Sequence, residues 1–156
     1  MNKMKIRQTK SEDIKSLSLI LDSTELFPSE MLPDMIDGFI TKTHKEDLWL
    51  SCIHEGDVIG FCYAVPEQLT EGTWNMLAIA VHPKCQGVGA DRAILNELEI
   101  SLKNDGQRVL IADTSGLPEF KQTREFYRKN DYTEEARIRD FWAEGDDKVI
   151  FWKALK

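Results

Sequence analysis

The sequence predicts an α/β domain built on a mixed β-sheet. Two observations carry that expectation. Apolar residues alternate between helical spacing and short β-rich runs, in the order βααβββαβαββ. Within that order a strand–helix–strand unit at residues 74–112 demands a parallel pair, whereas the hairpins on either side supply antiparallel ones.

Residues 4–8 read as a first strand. Thr9 and Ser11, with Glu12 and Asp13 behind them, offer an N-cap and negative charge for a helix start, and Ile14, Leu17 and Leu21 recur at helical spacing to about Asp22. After Pro28 and Ser29 the pairs Met31/Leu32, Met35/Ile36 and Phe39/Ile40 repeat every four residues. Pro33 must therefore lie in the first turn of that second helix or mark its true beginning. Met31, Met35 and Trp74 are expected in the core.

Residues 48–53 and 58–65 form a hairpin around Glu55, Gly56 and Asp57, and 74–81 form the next strand. A third helix from about Gly89 aligns Ile94, Leu95, Leu98 and Leu102. A strand at 108–112 leads to a loop at Asp113, Thr114, Ser115 and Gly116. A fourth helix spans 120–129, and strands at 132–142 and 148–155 close the chain around Gly145, Asp146 and Asp147.

The 156 residues show no internal repeat, linker or compositional break, so a single domain at 1–156 is expected. That length buries a core without a disulfide or metal staple. Twenty Lys+Arg against 27 Asp+Glu give a formal charge of −7. Such a field repels a phosphate backbone, which argues against a nucleic-acid partner and leans weakly toward a cationic small substrate. No run approaches the ~20 apolar residues of a membrane span. The first seven residues lack the apolar core of a signal peptide. Cys52, Cys62 and Cys85 have no metal-type spacing, and the reading is a reduced, cytoplasmic protein with no metal.

The stretch that carries chemistry is Leu77-Ala78-Ile79-Ala80-Val81-His82-Pro83-Lys84-Cys85-Gln86-Gly87-Val88-Gly89-Ala90-Asp91. A strand runs through a glycine-containing loop into an amphipathic helix. Successive backbone N–H groups and the helix dipole then converge on one point, an anion site suited to phosphate. The dinucleotide fingerprint fails because Arg92 stands where its third Gly belongs, and the P-loop ending is absent. His82, ahead of a proline, reads as extended backbone, and Cys85 as a bystander thiol.

This stretch resembles the acyl-CoA motif of the GNAT superfamily of N-acetyltransferases. Arg124-Glu125-Phe126-Tyr127-Arg128-Lys129-Asn130-Asp131-Tyr132 is similar to that family's late helix, and the element order follows it along the whole chain. The resemblance implies a GNAT-like, mostly antiparallel mixed sheet flanked by about four helices. It implies acetyl-CoA as cosubstrate and acetyl transfer to a primary amine, small-molecule or peptide, by direct attack. Gln86, Gly87, Val88, Gly89 and Ala90 would hold the CoA pyrophosphate through main-chain N–H. The backbones of Ile79 and Val81 would pair with the acyl and pantetheine amides, and Tyr127 would protonate the departing thiolate. A catalytically degenerate acyl-CoA-binding or regulatory domain is the alternative, and the oligomeric state stays open between monomer and homodimer.

The sequence departs from the family pattern at four places. Asp91 replaces the last small residue of the loop motif. A carboxylate about 7 Å from a diphosphate charge costs about 2 kcal/mol at an effective dielectric near 20, or roughly thirty-fold in affinity, unless it faces solvent. Asn75 stands where an acidic base is usual on the fourth strand, so deprotonation would go through water or another carboxylate, with Glu71, Glu119 and Asp140 as unranked candidates. The Asn that often precedes the late helix is absent. Asn130 and Asp131 replace a helix-ending Gly, and both tolerate the left-handed conformation. The polar and aromatic run 137–148 reads equally as an acceptor-pocket lining or as a solvated hairpin.

Overall fold

The computed structural model describes residues 4–43 and 46–156. Among them are seven strands and four helices: β1 Met4–Gln8, α1 Ile14–Thr24, α2 Leu32–Ile40, β2 Leu48–His54, β3 Asp57–Pro66, β4 Thr73–Val81, α3 Ala90–Asn104, β5 Val109–Ser115, α4 Lys121–Lys129, β6 Thr133–Ala143 and β7 Asp146–Ala154. The strands hydrogen-bond in the order β1-β2-β3-β4-β5-β7-β6. β4 and β5 are parallel, and β1–β2, β2–β3, β5–β7 and β6–β7 are antiparallel. This is the mixed, mostly antiparallel sheet with four helices and one parallel crossover at 74–112 that the sequence predicts.

The chain forms two compact units. The first comprises Met1–Val65 and Leu77–Ser101. β1 registers on β2 from Met4↔His54 to Gln8↔Leu50, and β2 on β3 from Leu48↔Ala64 to His54↔Asp57. The core gathers Leu17, Ile20 and Leu21 of α1, Leu32 and Ile36 of α2, and the rings of Trp49, Phe61 and Tyr63. Trp49 stacks on Tyr63 with centroids 4.1 Å apart, a ring pairing that adds to simple area burial. Ile94, Leu95 and Leu98 are buried, as the helical spacing of α3 requires. Gly60 on β3 permits a close approach, since a Cβ there would lie 2.8 Å from the Ala80 carbonyl oxygen.

The entry to α1 differs from expectation. Neither Thr9 nor Ser11 caps the helix. Asp13 precedes α1 without a side-chain bond to its first turn; its Oδ2 instead accepts the Lys10 N–H at 2.9 Å across a short 3₁₀ turn, Ser11–Asp13. The same carboxylate takes both guanidinium nitrogens of Arg7, at 2.6 and 3.0 Å, and the Ser51 hydroxyl at 3.1 Å. Thr9 instead bonds Ser51. The competing principle is tertiary, since a buried Asp needs its lone pairs filled and the β1–β2 pair brings Arg7 opposite Ser51. Met31 is also misplaced by the helical pattern. It lies in a 3₁₀ turn ahead of α2 and is 49% exposed, whereas Met35 packs on the core.

Cys52 and Cys62, on adjacent strands, are buried and unlinked. Burial pushes the Cys52 thiol up to about 11, reinforced by nearby Cys85, and the Cys62 thiol up to about 12 against a backbone hydrogen bond.

The second unit comprises Pro66–Met76 and Leu102–Lys156. Its parallel ladder holds four pairs, from Thr73↔Val109 to Met76↔Ala112. β5 then continues beside β7 from Val109↔Ala154 to Ser115↔Lys148. Residues 113–115, expected in a loop, are therefore strand, because β7 supplies their ladder partners. α4 buries Tyr127, whose ring stacks on Phe151 at 5.2 Å and meets Phe126 and Tyr132 edge-on. Trp74, expected in the core, is half-buried.

Candidate functional site

In the first unit, β4 ends at Val81 and the chain enters a 3₁₀ turn, Pro83–Cys85. His82 Nδ1 accepts the Lys84 N–H at 3.1 Å and His82 N–H donates to Ile59 O at 2.8 Å, so this histidine caps a turn. Gln86 is extended, and its Nε2 donates to Val81 O at 3.1 Å. Gly87 and Gly89 then take φ of +86° and +80°, where only glycine is unstrained. A Cβ on either would meet nothing within 4 Å, so the space beside both is open to a ligand. Val88 between them points outward, and Ala90 is buried as α3 begins.

A helix leaves its first N–H groups without intrahelical partners. In α3 the first bonds start from Gly89 O, which accepts from Ala93. Arg92 N–H donates to Asp91 Oδ1 at 2.8 Å, so the Asp91 carboxylate bends back along the helix surface and occupies one of those donors. Lys84 and Arg92 are exposed beside the loop. Ile79 is half-buried and Val81 buried on the strand leading in. The residues present fit a phosphate-bearing group: backbone donors, two positive-φ glycines and an open flank, with the Asp91 carboxylate on the Arg92 N–H.

In the second unit, Tyr127 is 3% exposed and packed among aromatic rings. Of the three carboxylates weighed as bases, Glu71 and Glu119 are exposed. Asp140, also exposed, accepts the Gly145 N–H within the β6–β7 turn. A different group forms around Asn75, which is 5% exposed. Its Nδ2 donates to Glu67 Oε1 at 3.0 Å and Asp113 Oδ2 at 3.3 Å. Lys148 Nζ lies 3.3 Å from Asp113 Oδ2 and 4.3 Å over the Phe141 ring. Asn75 Oδ1 and Asp113 Oδ1 are buried without a hydrogen-bond partner. Sequence reasoning missed Glu67, Asp113 and Lys148, because the segment after β3 and the strands β5 and β7 bring them together and no local spacing marks them. From the run 137–148, Trp142 Nε1 donates to Thr114 O at 3.3 Å, while β6 is exposed along its length.

A strand, a glycine loop and a helix N-terminus set in a mixed sheet define an anion-binding class of α/β domain. Residues 45–134 match the acetyltransferase (GNAT) domain family, more than half of the sequence. The chain belongs to the GNAT family of acetyltransferases. No curated protein matches it by sequence. Among solved structures it is similar to a protein from Desulfovibrio desulfuricans assigned to the GNAT acetyltransferases, at 26% identity and TM-score 0.89, covering 100% of both chains. It is also similar to the ribosomal-protein-S18-alanine N-acetyltransferase of Escherichia coli, at 18% identity and TM-score 0.78, covering 100% of this chain and 95% of that one. An aminoglycoside 6′-N-acetyltransferase complexed with coenzyme A matches at 13% identity and TM-score 0.81, covering 97% of each. At these last two identities the likeness is one of fold.

Proposed function

We propose that the chain transfers an acetyl group from acetyl-CoA to a primary amine by direct attack, with no covalent enzyme intermediate. The observation that carries this reading is the pair of positive-φ glycines, Gly87 and Gly89, opening into the first turn of α3. Main-chain N–H groups of Gln86, Gly87, Val88, Gly89 and Ala90 hold the pyrophosphate. Backbone groups of Ile79 and Val81 pair with the acyl and pantetheine amides, and one N–H polarises the thioester carbonyl. Tyr127 is the general acid for the thiolate. Acetyl-CoA supplies the activated acyl group.

In an acidic protein the cofactor's negative charge must be met locally, and backbone donors do that without a cluster of Lys or Arg. We take 1–156 as one N-acetyltransferase domain, supported by the full-length match to the Desulfovibrio chain, and place it in the cytoplasm on its three unlinked thiols. The acceptor is a small-molecule or peptide amine, with no nucleic-acid or membrane partner.

Calorimetry with acetyl-CoA, followed by thiol release across spermine, kanamycin, lysine methyl ester and an alanyl peptide, tests this. Saturable binding with release for at least one amine is expected. Binding without release for any amine favours an acyl-CoA-binding module, and no binding defeats both.

A further inference from the structure

The proposed reaction needs a group to take a proton from the acceptor ammonium, and Asn75 cannot. Its amide instead ties together two carboxylates from different parts of the second unit, Glu67 just after β3 and Asp113 on β5. The two are not equivalent. Asp113 has its charge met by Lys148 of β7, itself held over Phe141. Glu67 has no ion-pair partner among the described residues and is half-exposed, so its negative charge is uncompensated and within reach of a ligand. Asn75 Nδ2 faces both carboxylates, which fixes the amide orientation and leaves Oδ1 buried and unpaired. A half-exposed, uncompensated carboxylate suits a positively charged ligand bearing N–H donors.

We propose that Glu67 is the proton acceptor for the amine substrate, with Asn75 as the positioning residue that holds its carboxylate. This rests on the acetyl-transfer reading above. In the step, an N–H bond of the acceptor ammonium breaks and the proton passes to a Glu67 oxygen. The freed lone pair forms the N–C bond at the thioester carbonyl. As the C–S bond breaks, the thiolate takes the Tyr127 hydroxyl proton, and the second nitrogen proton restores Tyr127. Glu67 returns its proton to solvent, so one acetyl amide, one thiol and one proton leave. The charged and titratable groups at Glu67 are Asp113 from β5, Lys148 from β7 through Asp113, and Glu71 and Arg108 at the far end of the 67–75 segment, where Arg108 Nε donates to Glu71 O.

The test is Glu67→Gln, which keeps an oxygen for the Asn75 N–H, with Glu67→Asp as the conservative control. Thiol release is followed from pH 6 to 10 with the amine of the panel that wild type uses best. At pH 7 we expect kcat/KM of Glu67→Gln to fall about 10²–10³-fold, with unchanged acetyl-CoA affinity and partial rescue by Asp. The deficit should shrink about tenfold per pH unit below the amine's own pKa, about 8 for an α-amine and about 10 for a side-chain amine, as solution deprotonates it. Asn75→Leu should lower kcat/KM in the same direction without altering acetyl-CoA binding. A wild-type chain that releases no thiol defeats the acetyl-transfer reading and this proposal with it. Active wild type with a Glu67→Gln rate within threefold of it, or a deficit constant with pH, overturns the role of Glu67 alone.

Discussion

Substituting Gly89 by Ala separates the backbone conformation of the loop from its chemistry. Gly89 sits at φ +80° with nothing within 4 Å of a built Cβ, so the substitution meets no steric partner and its cost is conformational. An L-residue in the left-handed region costs about 1–2 kcal/mol. In a domain of this size each kcal/mol lowers Tm by about 2–4 °C, so a drop of about 2–8 °C is expected. Gly145 is a matched control, at φ +82° with equally open space, in the β6–β7 turn. Its Ala variant should lose similar stability. The two should part in acetyl-CoA binding. If the strained loop relaxes enough to misdirect a single N–H, one charge-assisted hydrogen bond is lost, worth about 1.5–3 kcal/mol, or about tenfold to 150-fold in Kd. Calorimetric titration with acetyl-CoA alongside thermal melts reads both quantities. A Gly89→Ala protein that binds within threefold of wild type, or a Gly145→Ala protein weakened equally, refutes the loop as the phosphate cradle.

Tyr127→Phe keeps the ring stacked on Phe151 and removes only the hydroxyl. Thiol release should fall about 10²-fold with unchanged acetyl-CoA affinity, and an undiminished rate removes Tyr127 from the chemistry. Asp13 gives a pH dependence. Burial tends to raise its pKa, but the Arg7 hydrogen bonds, the Lys10 N–H and the Ser51 hydroxyl together hold it below the ordinary carboxylate value. A depressed folded-state pKa means stability present above about pH 4 and lost as pH falls through the folded value. Asp13→Asn should cost about 2 kcal/mol at pH 7, between exposed and fully buried pairs since Arg7 is 22% exposed. Urea melts should show that gap closing at pH 3, and a gap of constant size would contradict the assignment.

Much of the fold was legible because its signals are local. The order of elements, the Pro33 start of α2, the buried face of α3 and the hairpin turns all follow from spacing, glycine and proline. The loop at Gly87 and Gly89 belongs to this kind, since positive φ is a property of single residues. What escaped was set by partners distant in the chain. Whether residues 113–115 are strand or loop depends on β7, more than thirty residues later. Neither Thr9 nor Ser11 caps α1, because Thr9 is held by Ser51 of β2 and the Asp13 carboxylate by Arg7 of β1 and Ser51. The Glu67, Asn75, Asp113 and Lys148 group escaped for the same reason, and only the replacement of an acidic residue by Asn75 hinted that the proton had to go elsewhere.

The three unlinked thiols divide the chain's nucleophilic chemistry unevenly. With values near 11 and 12, Cys52 and Cys62 are about 10⁻³ and 10⁻⁴ thiolate at pH 8, and both lie within the sheet core, where an electrophile cannot approach. Cys85 alone is partly open to solvent, one residue before Gln86 at the mouth of the glycine loop. The native sequence thus carries its own attachment point for a fluorophore or spin label beside the loop. No cysteine-free background has to be engineered before ligand occupancy there can be watched in real time.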